Sequence, residues 1–177
     1  YASAPGGIAA WLCGVPLVVH EQNSVPGATT RLLKPLSQRV LTGFPGALGR
    51  RGEHVGNPVR PESSAIQAPA PRLSARSGVL RLLVLGGSQG ARRLNQGVPA
   101  ALAQAGAEGI EVRHQAGSAG FEATRADYAA RGITAEVEAF IADMAEAYAW
   151  ADLVICRAGA LTLAELCAAG AAAILVP

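Results

Sequence analysis

The sequence predicts an α/β protein built on parallel sheets with helices on both faces. Three observations carry this. Short apolar runs alternate with segments of helical period almost from end to end. Half the residues are apolar but only 5% are aromatic, and Ala and Gly abound. That composition suits helices packed closely on a sheet better than an all-β sandwich. Finally, small-residue turns stand between an apolar run and a helical segment, as at the junction of a βα unit.

Taken in order, residues 8–12 read as a helix and residues 16–20 (Pro-Leu-Val-Val-His) as a buried strand. Residues 39–44 form a second apolar run. Residues 60–79 are dominated by Pro, Ser and Ala without a sustained period, the mark of an interdomain linker. Residues 81–85 are the strongest strand in the chain. Residues 91–104 follow as a helix with Leu94, Val98, Ala101, Leu102 and Ala105 on one stripe. Residues 110–114 and 135–140 alternate like strands and flank a helix at 121–130. A helix at 144–150, a strand at 153–156, a helix at 162–169 and a strand at 173–176 complete the pattern. The last two strands are wholly apolar, as strands buried on both faces tend to be. The chain therefore divides into 1–59, the later part of one domain; 60–79, an interdomain linker and entry segment of the second; and 80–177, most of a second domain.

Net charge is +2, unevenly spread. Residues 1–60 hold six Lys/Arg against two Asp/Glu, so the first part should prefer an anionic partner. With few interleaved aromatics this suits a phosphate-bearing ligand or an anionic membrane surface, and nucleic acid is not expected. No stretch of about 18 uncharged apolar residues occurs, so no membrane-spanning helix is expected. Cys13, Cys156 and Cys167 lack CxxC spacing, which points to a reducing compartment and buried thiols. His20, His54 and His114 are far apart, so a zinc site is not expected. The chain opens without Met or a basic leader and stops on an apolar run, and is expected to be an internal piece of a longer protein.

The first site candidate is Gly86-Gly87-Ser88-Gln89-Gly90-Ala91, directly after the strongest strand. Glycines allow a tight turn, and a helix N-terminus offers free N–H donors and partial positive charge, a seat for a diphosphate. The same residues satisfy G-x-S-x-G, the nucleophile elbow of an α/β-hydrolase, with Ser88 as nucleophile and His114 the available downstream histidine. A plain packing turn is the third reading. The second candidate is the segment Arg157 to Glu165, which repeats strand, small-residue turn and helix start. Glu165 there could accept both hydroxyls of a ribose or simply complement the helix dipole. The third is His20-Glu21-Gln22-Asn23, four polar residues where a buried strand ends. The fourth is Asn57-Pro58-Val59-Arg60, which sets an arginine with five donors beside a turn at the domain boundary. Gly6-Gly7, ahead of the first helix, is a further possible anion turn.

Six segments stand here in a telling order: Tyr-Ala-Ser-Ala-Pro-Gly-Gly, His-Glu-Gln-Asn, Gly-Asn-Pro-Val-Arg, Gly-Gly-Ser-Gln-Gly-Ala, Phe-Ile-Ala-Asp-Met and Arg-Ala-Gly-Ala-Leu-Thr-Leu-Ala-Glu. In this order and context the chain resembles the MurG family of bacterial N-acetylglucosaminyltransferases of peptidoglycan synthesis. The resemblance implies a GT-B fold with two Rossmann-like domains, both incomplete in this chain. Residues 1–59 would belong to the acceptor domain and 80–177 to the donor domain. It implies inverting transfer of N-acetylglucosamine from UDP-N-acetylglucosamine to the 4-hydroxyl of the muramoyl group of lipid I, giving lipid II. It also implies a peripheral place at the cytoplasmic face of the cell membrane. No metal is implied, in keeping with the lack of Asp-x-Asp, and no cofactor. By position, Asn23, Arg60, Ser88, Gln89, Ile141, Ala160, Leu161, Thr162, Leu163, Ala164 and Glu165 would bind the donor, and Tyr1 would lie near the acceptor diphosphate. The family's Gly-Gly-Thr-Gly-Gly-His segment, to which the resemblance assigns the catalytic base, would fall before Tyr1. A glutamine-containing donor motif would fall after Pro177. The 177 residues alone are therefore expected to be inactive.

Overall fold

In the computed structural model, which describes residues 3–74, 76–87 and 91–177, the chain forms two compact units, residues 1–59 and 60–177. The first holds helix α1 (Ser3–Leu12), strand β1 (Val18–Glu21), helix α2 (Ala28–Leu33), strand β2 (Arg39–Thr42) and strand β3 (Gly52–His54). The three strands are parallel in the order β1-β2-β3, with Val19 beside Val40 and Val40 beside Gly52. Val19, Leu33, Val40 and Leu48 form its small core.

Two readings are corrected here. Gly6 and Gly7 lie inside α1, which starts at Ser3 rather than residue 8, so they form no anion turn. The reason is packing: a Cβ at Gly7 would fall 2.6 Å from Leu33 Cδ1, so glycine lets α2 approach. Of the three thiols only Cys156 is buried; Cys13 and Cys167 are exposed.

The second unit begins with two short helices, α3 (Pro61–Ser64) and α4 (Pro69–Ser74). Five parallel strands follow: β4 (Leu80–Leu85), β5 (Ile110–Gln115), β6 (Ala135–Glu138), β7 (Leu153–Arg157) and β8 (Ala173–Val176). Between them run α5 (Arg92–Ala105), α6 (Phe121–Ala130), α7 (Met144–Trp150) and α8 (Ala160–Ala169). The strand order is β6-β5-β4-β7-β8. The chain winds outward from β4 to β6, then returns through α7 to the other side of β4. That reversal is the topological switch point of a doubly wound sheet.

Alternation along β4 builds two cores. Leu82 and Val84 pack with Leu94, Val98, Leu102 and Tyr128 on the α5/α6 face. Leu83 and Leu85 pack with Ala147, Tyr148, Val154 and Leu166 on the α7/α8 face. The α5 stripe turns slightly from the expected one: Leu94, Asn95, Val98, Pro99 and Leu102 are buried, whereas Ala101 and Ala105 are exposed. β6 stops at Glu138, which frees Phe140 and Ile141 as a loop. α7 is capped by Asp143, whose carboxylate accepts from the Glu146 N–H at 2.8 Å. α8 ends at Gly170 in the left-handed conformation, φ +58°.

The stretch read as an interdomain linker and entry segment carries α3 and α4 and is anchored to the second unit. Arg72, buried, donates to the carbonyls of Ala169 and Gly170. Arg76 donates to the carbonyls of Trp150 and Ala149 and pairs with Asp152. The two arginines thus serve the C-terminal ends of α8 and α7, where cations are favourable.

Candidate functional site

At the carboxyl ends of β4 and β7 lies an open cleft of about 280 Å³, at the switch point of the second sheet. Gly86 and Gly87 follow β4, Phe140 and Ile141 follow β6, and Arg157 ends β7. Thr162 and Glu165 reach the cleft from α8, Met144 and Tyr148 from α7, and Arg60 from just before α3. Open sheets of this kind bind ligands at this place.

The local sequence dictates each wall. A Cβ at Gly86 would lie 2.7 Å from the Gln115 carbonyl oxygen and 3.0 Å from the Ala91 nitrogen. Gly87 has φ +75°, where a side chain is strained. The glycines of this turn are thus required by the backbone itself. On α8 the three-residue step brings Thr162 and Glu165 to one face. Leu161, Leu163 and Ala164 do not line the cleft, and Ala160 is the first helical residue.

Glu165 is held from two sides. Its Oε2 accepts from the Tyr148 hydroxyl at 3.1 Å, and its Oε1 lies 3.7 Å from Arg60 Nε. Its side chain is 17% exposed against 59% for Arg60. Glu165 stands in the second turn of α8 behind the N-cap Gly159, so the capping role is replaced by these contacts. Burial, then the neighbouring Glu165 carboxylate, raises the Tyr148 hydroxyl well above its ordinary pKa, so it stays a proton donor. Ile141 buries its side chain, while its backbone N–H and C=O take no backbone partner among the described residues.

Asn23 belongs to the first unit. Its N–H and side-chain amide donate to Glu21 Oε1 at 3.0 and 3.2 Å, and the Gly27 N–H donates to Oε2 at 2.9 Å. Burial opposes the Glu21 charge, yet these hydrogen bonds hold its carboxyl below the usual range. His20 is satisfied by the Gly56 carbonyl at 2.9 Å. Tyr1, Ser88 and Gln89 lie outside the described residues. Sequence reasoning missed Tyr148, Met144 and Gln115 as cleft residues, because each sits in a stretch that reads as core or strand. A larger depression of about 590 Å³ lies between α5 and α6. Asn95 there is bonded to the Ala116 carbonyl and Asp127 to Arg131, and the depression lies away from the carboxyl ends of β4 and β7, where open sheets bind ligands, so the cleft is the stronger site.

The fold is that of the GT-B class, and the chain belongs to glycosyltransferase family 28. The family's C-terminal domain matches residues 81–177 and its N-terminal domain residues 1–42. The chain is 60% identical over 177 residues to the UDP-N-acetylglucosamine--N-acetylmuramyl-(pentapeptide) pyrophosphoryl-undecaprenol N-acetylglucosamine transferase of Xanthomonas campestris, covering all of this chain and 41% of that one. It is 58% identical to the transferase of the same name from Aeromonas hydrophila, covering 49% of it. The crystal structure of Acinetobacter baumannii MurG superposes with a TM-score of 0.80 at 39% identity, over all of this chain and 50% of that one. Anabaena HepE, solved with UDP and glucose, shares the fold at a TM-score of 0.60 and 17% identity, over 96% of this chain and 55% of that one. The chain thus spans less than half the length of the curated relatives named here.

Family membership overturns the α/β-hydrolase alternative. The geometry agrees, because His114 is wholly buried with both ring nitrogens engaged. Nδ1 lies 3.0 Å from the Tyr128 hydroxyl and Nε2 3.1 Å from Asn95 Oδ1.

Proposed function

We propose that this protein transfers N-acetylglucosamine from UDP-N-acetylglucosamine to the 4-hydroxyl of the muramoyl group of lipid I, with inversion, forming lipid II. The observation that carries this reading is the cleft at the switch point, where Glu165, Arg60 and the start of α8 converge. The shared name of the Xanthomonas and Aeromonas relatives supports the choice of donor and acceptor.

In this reading the acceptor oxygen attacks the anomeric carbon as its hydroxyl proton passes to a general base, the bond from that carbon to the diphosphate oxygen breaks, and UDP leaves with the electron pair. Arg60, Arg157 and the N-terminal end of α8 meet the charge that grows on the leaving diphosphate. Ser88 and Gln89 hold a phosphate at the β4 turn. The open backbone of Ile141 reads the uracil edge, and Glu165 accepts from the ribose hydroxyls. Thr162 closes the α8 side, with Ala160, Leu161, Leu163 and Ala164 forming the rest of that turn. By position in the family's motifs Asn23 is read as a donor-binding residue and Tyr1 as serving the acceptor diphosphate.

We further propose that the protein works as a peripheral enzyme on the cytoplasmic face of the anionic cell membrane. The basic bias of the first unit supports this, as do the exposed Trp11 and Leu12 of α1. Among the described residues no helix is long and apolar enough to cross a membrane.

The test is transfer of radiolabelled N-acetylglucosamine from UDP-N-acetylglucosamine to a lipid I analogue by the full-length protein to which these 177 residues belong. Product carrying the label on the muramoyl 4-oxygen is the expected result. Covalent labelling of Ser88 by a fluorophosphonate in folded protein, with no transfer, would overturn the reading.

A further inference from the structure

We propose that Tyr148 is a positioning residue of the donor site: its hydroxyl sets the plane of the Glu165 carboxylate so that the free lone pairs meet the vicinal hydroxyls of a nucleoside diphosphate. The inference rests on the reading of Glu165 as the ribose acceptor. Its basis is the 3.1 Å bond from the Tyr148 hydroxyl to Glu165 Oε2, made by a tyrosine only 1% exposed.

The chemistry of the carboxylate explains why such a partner matters. A carboxylate offers about four acceptor positions. Tyr148 takes one from the core side. Arg60 Nε, at 3.7 Å from Oε1, lies beyond hydrogen-bond reach. The remaining positions stay available to the cleft that Glu165 lines. To accept from two adjacent hydroxyls at once, the carboxylate must hold one orientation. The last torsion of glutamate is broad and nearly two-fold, so the side chain does not fix it alone. Packing of α7 against α8 brings the tyrosine to the carboxylate, and the ring itself belongs to the apolar core beneath.

Phenylalanine at 148 keeps that ring packing and deletes only the hydroxyl. The test titrates UDP and 2′,3′-dideoxyuridine diphosphate into the full-length protein and compares Tyr148→Phe, Glu165→Gln and the double variant. The readout is the ratio of the two dissociation constants. Partial unfolding divides both apparent affinities by the same fraction, so a purely structural effect cancels from the ratio. Tyr148→Phe should weaken UDP roughly tenfold, the loss of one charge-assisted hydrogen bond. It should leave the dideoxy ligand within about twofold, so that the ratio falls. The double variant should lose no more than Glu165→Gln alone, because Tyr148 acts through that carboxylate. In turnover, KM for the sugar nucleotide should rise by the same factor with kcat nearly kept.

A parent-like ratio in Tyr148→Phe, beside a collapsed ratio in Glu165→Gln, overturns the positioning role and leaves the ribose reading intact. A parent-like ratio in Glu165→Gln overturns the ribose reading and, with it, the role of Tyr148.

Discussion

The guanidinium of Arg72 donates to the carbonyl oxygen of Ala169 at 3.0 Å, across 97 positions of sequence. A second nitrogen reaches the Gly170 carbonyl at 3.3 Å. This one side chain ties α4 to the end of α8, the helix whose other end faces the cleft. Gly170 completes the joint, since a Cβ there would fall 2.8 Å from Pro69 Cγ.

Arg72→Met should therefore destabilise the second unit by about 2–3 kcal/mol. Hydrogen bonds to charged groups contribute about 1.5–3 kcal/mol each, while Met fills much of the vacated volume. Urea unfolding measures the change. Arg125→Ala provides the contrast. Arg125 pairs with Glu122 where both side chains are more than half exposed, so the midpoint should move by less than about 0.5 kcal/mol. Equal effects from the two substitutions would contradict the joint.

This joint also shows what the sequence could and could not reveal. The parallel sheet was readable because strands buried on both faces must be apolar throughout, as at residues 82–85, whereas the equally apolar residues 173–176 form an edge strand that is largely exposed. The glycine turn after β4 was readable because paired glycines between a strand and a helix mark a tight turn, although the Gln115 oxygen that Gly86 must clear lies on β5. Helices α3 and α4 were not, because their order comes from Arg72 and Arg76, whose partners at the ends of α7 and α8 lie 73 or more positions away. No local period encodes such a bond. In the site, Glu165 and Arg60 stood in recognisable motifs. Tyr148 sits on an apolar helix stripe that reads as core, and only its hydroxyl contact reveals the second role.

The buried row His114, Asn95 and Tyr128 predicts acid sensitivity. Asn95 Oδ1 can only accept, so His114 Nε2 donates to it and Nδ1 accepts from the tyrosine. Burial pushes the His114 pKa down from 6.5 to about 4. Between those values the unfolded chain binds a proton that the folded chain refuses. Stability is therefore full above about pH 6.5 and falls as pH drops, losing about 3 kcal/mol by pH 4. Glu21 and Asp152 are each held below their ordinary values of 4.5 and 3.8 against the cost of burial, so they titrate lower. The loss between about pH 6.5 and 5 thus belongs to the histidine. His114→Gln should flatten the denaturation midpoint across that window, at some cost in stability at every pH. An unchanged slope would assign the loss elsewhere.

Gly86→Ala tests the turn after β4. The added methyl would meet the backbone at Gln115 and Ala91, neither of which can swing aside as a flexible side chain would. The substitution should cost about 1–3 kcal/mol and weaken UDP binding as the loop shifts. Thermal melting and calorimetry on the same sample read both effects. A parent-like melt with normal binding would mean the loop has room that this geometry denies.

The last prediction concerns Glu165. Glu165→Gln keeps the size, the helix propensity and one oxygen able to accept from Tyr148. It removes the charge and turns half of the acceptor into a donor, which faces ribose hydroxyls wrongly. Losing charge-assisted bonds of about 1.5–3 kcal/mol should lower UDP affinity roughly ten- to a hundredfold. Apo stability should barely change, for two reasons. Arg60, 59% exposed, can turn to solvent, and its 3.7 Å pairing at the rim is worth little. The Tyr148 hydroxyl keeps an acceptor, so no donor is left buried and unpaired. Isothermal calorimetry with UDP and a thermal melt without it separate the two roles of the carboxylate. A melt several degrees lower with normal UDP binding would make Glu165 a structural anchor for α7 and α8 instead of a donor ligand.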